Sequence, residues 1–138
     1  MRIAIVVSEF NFDVTSLMLE RAKHHLEHHK AELAAEVHVP GVFDMAPAIK
    51  KLLRRKDVDG VVILGAVIKG ETLHDEVITH ATAQSAQRLA IKYDKPVGLG
   101  ITGPGMTHAQ AMERLDNAKN AVDAVVKMAA LLDELSTD

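Results

Sequence analysis

The sequence predicts an α/β fold, a single-domain three-layer α/β/α sandwich of flavodoxin-like type with a four-stranded parallel sheet. Three observations predict it. Four short runs rich in β-branched residues alternate with four longer stretches of helical period. Each intervening stretch is long enough for the crossover helix that consecutive parallel strands require. The length of 138 residues, with 48% hydrophobic content, fits one domain, residues 1–138.

The four strand candidates are short apolar runs. They are RIAIVV at residues 2–7, EVHV at 36–39, GVVILG at 60–65 and VGLGIT at 97–102. The third run contains VVIL, which is apolar without the alternation that is typical of a half-exposed strand. We therefore expect the third strand to be covered on both faces.

The four helix candidates are amphipathic stretches at residues 14–29, 45–55, 73–93 and 107–135. Thr107 followed by Gln110 resembles a capping box, which indicates a helix start. Beyond it, apolar residues recur every three or four positions, namely Met112, Leu115, Ala118, Val122, Val125, Ala129 and Leu132. This spacing predicts one helix that is buried along one stripe.

Composition and charge exclude several classes of function. The formal net charge is -3 and no long basic run occurs, so we expect no nucleic-acid partner and no membrane partner. No apolar run approaches the ~20 residues that span a bilayer, and MRIAIVV is too short for a signal peptide, so a cytoplasmic location is expected. Because Cys is absent, a thiol nucleophile or thiolate metal ligand is excluded.

Four loops follow the predicted strands at the edge where open α/β sheets bind ligands. They are SEFNFD at residues 8–13, PGVFDM at 40–45, GAVIKGETLH at 65–74 and TGPGMT at 102–107. Three of them contain Gly, which allows tight turns and close approach of backbone to a ligand. The first places the aromatic ring of Phe10 beside Asn11. We expect the functional site among these loops.

The third of these loops combines the features of an anion site. Gly70 frees the backbone, and Thr72 is a candidate N-cap for a helix from Leu73, so unpaired amides would face a phosphate. His74 falls in the first helical turn, where the helix dipole favours a neutral imidazole that can accept a proton. A simpler interpretation stays open, in which the turn only caps a helix and His74 packs on its neighbour.

Four motifs stand in order after the four predicted strands and cover essentially the whole chain: SEFN, VPGVFDM, AVIKGETLHDEV and GITGPGMTHAQAMERL. This set resembles the lumazine synthase family in its shorter, archaeal-like form. The resemblance implies a transferase of riboflavin biosynthesis. Its reaction condenses 5-amino-6-(D-ribitylamino)uracil with 3,4-dihydroxy-2-butanone 4-phosphate to 6,7-dimethyl-8-(D-ribityl)lumazine and releases phosphate and water. It implies no metal and no organic cofactor.

The resemblance also implies roles for individual residues. His74 matches the residue that transfers protons. The amino-uracil would be bound by Phe10, Asn11, Val42, Phe43, Asp44, Ala66, Val67, Ile68 and Leu99, with Phe10 stacked on the ring and Leu99 contributing backbone only. The phosphate would be bound by Glu71, Thr72 and an Arg114 from an adjacent subunit, with Lys119 as a further candidate. Taken one by one, these residues also have simpler interpretations. Phe10 fits an aromatic residue of a loop, Asp44 fits the start of a helix, residues 66–68 fit the end of a strand, and Arg114 fits a solvated surface charge.

The partners that the resemblance implies are the two small-molecule substrates and further copies of the chain. Members of the family form homopentamers with the site between subunits, and some assemble pentamers into closed shells. Three alternatives stay open: an archaeal-type riboflavin synthase, which has a longer C-terminal region, a non-catalytic phosphate- or flavin-binding module, and a shell-forming relative without catalysis. The GETLH turn favours lumazine synthase over these.

Four histidines cluster near the end of the first predicted helix, at His24, His25, His28 and His29. They form two i,i+4 pairs, a spacing that can chelate a transition metal. Because this helix end returns to the edge of the sheet opposite the site loops, and because protonated His is favoured at a helix C-terminus, we expect solvent-facing side chains and no functional metal site. Adventitious binding of nickel or zinc by this cluster stays open.

Overall fold

The computed structural model describes residues 1–70 and 74–136, and these residues form a four-stranded sheet. The strands are β1 (Arg2–Ser8), β2 (Glu32–Val39), β3 (Gly60–Ile68) and β4 (Val97–Met106). All the pairings are parallel, and the strand order is β2-β1-β3-β4. This order is that of a flavodoxin-like sheet. The predicted α/β class with a four-stranded parallel sheet is confirmed.

Helices cover both faces of the sheet. In the described ranges they are α1 (Phe12–His28), α2 (Met45–Leu53), α3 (Asp75–Tyr93), α4 (His108–Glu113) and α5 (Asp116–Leu135), with a 3₁₀ turn at Val42–Asp44. One core joins α1, α4 and α5 to the face that carries Ile3 and Ile5. The other joins α2 and α3 to the face that carries Ala4 and Val6. The three predicted layers are therefore present.

The third strand occupies the centre of this arrangement. β3 lies between β1 and β4, and all its residues are buried. The expectation from its unalternating apolar run is confirmed, because each face is covered by helices. Among the described residues, no helix combines the length and the apolar content that crossing a bilayer requires.

The single helix predicted for residues 107–135 is wrong, because the structure divides it in two. The capping box is present at the start of α4, where Thr107 Oγ1 accepts from Gln110 N at 3.2 Å and Gln110 Oε1 accepts from Thr107 N at 3.0 Å. The helix then breaks at Arg114, whose φ of -114° and ψ of 29° leave the helical region. Ala111, Leu115 and Ala118 all stay buried across the break, whereas Met112, which was predicted for the buried stripe, is exposed because Ala111 takes its place on the core side. The apolar stripe is therefore continuous although the backbone is not.

Two predicted loops are partly strand. β3 continues through Ala66 to Ile68, and β4 continues to Met106, which pairs with Ile68 after an irregularity. A Cβ at Gly103 would lie 2.3 Å from the Val67 carbonyl oxygen, and φ there is +116°. Glycine is therefore required at this position for steric reasons, although its presence suggested a loop.

The histidine cluster also differs from expectation. His24 and His28 are exposed, as predicted, but His25 and His29 are partly buried against α5. Both rings contact the carboxylate of Asp123. The prediction of solvent-facing side chains is therefore wrong for these two histidines, because the sequence does not show which face of α1 meets α5.

Candidate active site

A cavity of about 220 Å³ opens at the carboxyl ends of β1, β2 and β3. It lies where the strand order changes direction between β1 and β3, the position at which flavodoxin-like sheets bind ligands. The lining comprises Ser8, Phe10, Gly41, Val42, Phe43, Ala66, Val67, Ile68 and Ile78. Six of the nine residues predicted for the amino-uracil are among them, and three of the four predicted site loops contribute to this wall.

The turn between β1 and α1 is fixed by Asn11. Its backbone is left-handed, with φ 60° and ψ 45°, a conformation that Asn tolerates better than most residues. Its side-chain Nδ2 donates to the Ala66 carbonyl at 2.9 Å, which ties this turn to β3. The Phe10 amide donates to the Pro40 carbonyl at 3.1 Å. The Phe10 backbone is therefore held on both sides while its ring stays 58% exposed.

The turn between β2 and α2 forms the opposite wall. Thr82 on α3 donates from Oγ1 to the Val42 carbonyl at 3.0 Å, and the Val42 side chain is buried. Phe43, by contrast, is 64% exposed. The Asp44 carboxylate accepts from the Gly41 amide at 3.0 Å and is not part of the cavity lining. Asp44 therefore closes the turn, as the helix-start interpretation expects.

The floor of the cavity is the end of β3. The ladder between β1 and β3 ends at the pair Val7 and Leu64, whereas β3 runs on to Ile68. Beyond that pair, the neighbour of β3 on the β1 side is the Asn11 turn rather than a strand. Gly65 lets the Val42 side chain pack closely against β3, because a Cβ at Gly65 would lie 2.5 Å from Val42 Cγ2.

Ser8 is a site residue that sequence reasoning did not select. It lines the cavity and is fully buried, and its hydroxyl has no hydrogen-bond partner within the described part of the chain. Buried hydroxyls are normally paired, so an unpaired one in a cavity wall is available to a ligand. The sequence alone does not indicate that a Ser at the end of a strand has a buried, unpaired hydroxyl. Gly41 and Ile78 were also not selected.

His74 occupies the N-cap of α3, the position predicted for Thr72, and not the first helical turn. Its side chain is exposed, and its carbonyl accepts from the Ile78 amide at 2.9 Å. Because residues four apart share a helix face and Ile78 lines the cavity, His74 lies one turn from that cavity. Glu71 and Thr72, the predicted phosphate contacts, lie outside the described residues.

The start of α3 is held against the end of β4. Asp75 Oδ2 accepts from the Gly105 amide at 3.1 Å, and the Asp75 carbonyl accepts from Thr79 Oγ1 at 2.8 Å. On the other face of the sheet, His108 and Asp13 form a side-chain hydrogen bond that joins the starts of α4 and α1. This contact lowers the pKa of Asp13 below its ordinary value. The first turn of α3 is therefore tied to the end of β4, and the first turns of α1 and α4 are tied to each other.

Three predicted residues lie away from the cavity within this chain. Leu99 sits within β4 opposite Ile63 and is exposed. Arg114 is exposed at the C-cap of α4. Lys119 lines a separate hollow beside Arg21 of α1. The structure therefore brings six of the nine predicted ring-binding residues to one cavity, but not Leu99 and not the predicted basic residues.

Comparisons with known proteins match nearly the whole length of the chain. A family model for 6,7-dimethyl-8-ribityllumazine synthase matches residues 1–133. The chain belongs to this family. Similar proteins named 6,7-dimethyl-8-ribityllumazine synthase include that of Methanothermobacter thermautotrophicus, 51% identical over 133 residues and covering 96% of both chains. That of Methanocaldococcus jannaschii is 51% identical over 133 residues, covering 96% of this chain and 94% of its own.

A third relative with the same name, from Staphylothermus marinus, is 54% identical over 128 residues. The match covers 92% of this chain and 85% of the relative. The family assigned from the four loop motifs is therefore confirmed, and with it the archaeal character of the sequence.

Proposed function

We propose that this chain is the transferase that condenses 5-amino-6-(D-ribitylamino)uracil with 3,4-dihydroxy-2-butanone 4-phosphate to form 6,7-dimethyl-8-(D-ribityl)lumazine. The observation that carries the proposal is the cavity between β1 and β3, whose walls come from three of the four loop motifs by which the family was recognised. Its largely apolar lining fits a heterocyclic ring.

The amino-uracil ring binds against the Phe10 side chain, with its polar edge toward the backbone of residues 66–68. An exposed phenyl ring beside an apolar cavity favours stacking, and a strand end without a strand neighbour on one side presents backbone groups to a planar amide. The buried hydroxyl of Ser8 supplies a further hydrogen bond to the bound ring. Val42, Phe43 and Asn11 complete this half of the site, with Asp44 toward the ribityl chain.

The butanone phosphate binds near the start of α3. A helix N-terminus attracts an anion through its unpaired amides and dipole, and the proposed contacts are Glu71 and Thr72. Arg114, which is exposed on this chain, serves the site of an adjacent subunit and pairs with the phosphate there. Lys119 remains a further candidate for the same role.

The reaction depends mainly on holding the two substrates in reacting geometry. The nucleophile is the 5-amino group of the uracil substrate, so the imine forms between the substrates and no enzyme lysine is required. His74 moves protons during imine formation and phosphate elimination. A positioned acid or base of this kind contributes roughly 10²–10⁴ in rate. Since the substrate supplies the nucleophile and phosphate is the leaving group, the proposal needs no cofactor.

The proposal includes a homopentamer in which neighbouring subunits complete each site. Arg114 lies outside the cavity of its own chain, and the large apolar side chains of Val77, Ile91 and Leu99 are exposed on α3 and β4. A second copy of the chain would cover such surface. Sedimentation of the purified protein tests this, and it also shows whether pentamers assemble further into a shell. A monomer would contradict a shared site.

The direct test is to mix the purified protein with both substrates and follow the lumazine chromophore. We expect product without added metal. His74→Ala should be slowed but remain measurable, whereas His80→Ala, an exposed histidine on the same helix, should match the wild type. Arg114→Ala should chiefly raise the KM for the butanone phosphate. Absence of product with the wild type, or riboflavin formed from lumazine alone, would overturn the assignment.

A further inference from the structure

Two histidines of α1 and one aspartate of α5 converge on a point far from the proposed active site. His25 Nε2 lies 2.5 Å from Asp123 Oδ1, and His29 Nε2 lies 2.7 Å from the same oxygen. One ligand atom from each residue lies within 4.8 Å of the others. The side chains are 12%, 22% and 32% exposed respectively, so the cluster is shielded but reachable from solvent.

The core beneath this cluster fixes its position. Leu26 of α1 and Val122 of α5, each adjacent in sequence to a member of the cluster, are buried in the same core. The His25 and His29 rings meet edge to face, with centroids 4.8 Å apart and planes at 85°. Both Nε2 atoms can therefore point at one place without stacking on each other. Because α1 starts at the carboxyl edge of the sheet, its last turn lies at the opposite edge.

The donor set matches a divalent transition metal. Two imidazole nitrogens and one carboxylate oxygen suit zinc, which forms bonds of about 2.0–2.2 Å to each. In a tetrahedral site, ligand atoms are then about 3.3 Å apart. The Nε2–Oδ1 distances of 2.5 and 2.7 Å would have to lengthen by less than 1 Å to accommodate the ion. In the metal-free contact each ring donates an Nε2 proton to the carboxylate, and one bound ion would replace both protons.

We propose that His25, His29 and Asp123 form a binding site for one divalent transition-metal ion of the zinc type, with water as fourth ligand, that cross-links α1 to α5. The expectation of no metal site rested on solvent-facing histidines, and that premise fails for the two residues involved. The site is remote from the proposed active site, so it serves stability rather than the condensation. It stands whether or not the proposed reaction is correct.

The test is calorimetric titration of tag-free, chelator-treated protein with zinc chloride near neutral pH. We expect one ion per chain. Asp123→Asn and His29→Gln should each weaken binding by at least about tenfold, because each removes one of three protein ligands. His24→Gln on the same helix and His80→Gln on α3 are matched controls, since both histidines are exposed, and should bind as the wild type does. Binding that survives Asp123→Asn, or that is lost in a control, would overturn the site in favour of a surface histidine pair.

Thermal unfolding supplies a second readout that does not depend on enzyme activity. A ligand that binds only the folded state raises the Tm, so zinc should raise the Tm of the wild type and of both control variants. It should raise the Tm of Asp123→Asn and His29→Gln by less, because binding to each is weaker. Each variant is compared with itself with and without zinc, so a general loss of stability does not affect the comparison. Equal shifts in all five proteins, or none in the wild type, would refute the cross-link.

Discussion

Asn11 offers a sharp test of how the cavity is built, because two separable effects meet in one residue. Its left-handed backbone costs an ordinary L-residue about 1 kcal/mol more than it costs Asn or Gly. Its hydrogen bond to the Ala66 carbonyl, 2.9 Å long and partly buried, contributes about 1 kcal/mol net. Asn11→Ala should therefore lower the free energy of unfolding by about 2 kcal/mol, since both contributions are lost.

Asn11→Gly is the matched variant. It loses the hydrogen bond but keeps a residue that adopts positive φ without strain, so the expected loss is about 1 kcal/mol. Urea unfolding of the three proteins at one protein concentration measures the difference. Kinetics should show a raised KM for the amino-uracil in both variants, because the bond that holds Phe10 beside β3 is absent in both. Equal stability of the Ala and Gly variants would refute the backbone argument, and a wild-type KM in both would refute the positioning argument.

Three further outcomes are expected. Gly98→Ala should lower the free energy of unfolding by about 1–3 kcal/mol through overpacking, because the added Cβ would lie 2.5 Å from the Ala121 carbonyl oxygen. Gly41→Ala should be near neutral in the same urea assay, because the nearest atom to its Cβ would lie 3.4 Å away. Ser8→Ala should leave stability unchanged or slightly raised, since an unpaired hydroxyl is removed, yet raise the KM for the amino-uracil. In metal-free buffer, Asp123→Asn should be less stable than wild type above pH 3.8, and the gap should close as pH falls to about 2.

The sign of the Asp123 effect follows from its surroundings. Hydrogen bonds from His29 and His25 lower the pKa of Asp123 from 3.8 to about 2. A lowered carboxyl pKa stabilises the fold above the unfolded value and ceases to do so once the folded carboxylate is protonated. The difference between the two pKa values corresponds to at most about 2.4 kcal/mol of folding free energy, and partial exposure of Asp123 to solvent reduces the expected effect to about 1 kcal/mol. A gap that widens toward pH 2 in acid-unfolding titrations would contradict this assignment.

The fold was predictable because the signals that define it are local and periodic. The unalternating VVIL run of β3 can only be stable with helices on both faces, and the lengths between strands leave room for crossover helices. Strand order then places the loops after β1, β2 and β3 at one edge. That reasoning placed Phe10, Phe43 and Ala66 at the same site, and the structure brings all three to one cavity.

What the sequence did not show depends on contacts between distant segments. The break at Arg114 is hidden because the apolar stripe continues through it, so hydrophobic period cannot detect it. The extension of β4 to Met106 is hidden because Gly103 meets the steric demand of Val67, not that of a turn. Likewise, the sequence does not show which neighbouring element a helical histidine faces, so the contact between His25 and Asp123 is visible only in the structure.

The same dependence on distant contacts explains how the walls of the cavity are held together although turns form part of them. Three hydrogen bonds join a side chain of one element to the backbone of another. Asn11 Nδ2 donates to the Ala66 carbonyl, Thr82 Oγ1 donates to the Val42 carbonyl, and the Asp75 carboxylate accepts from the Gly105 amide. Each fixes one turn relative to a neighbouring strand or helix. A reaction that depends on proximity requires its reacting atoms to be held about 3–3.5 Å apart, and a displacement of about 1 Å can cost 10²-fold in rate. In the proposed reaction these bonds would contribute by positioning the walls, although their side chains are not required to contact a reacting atom.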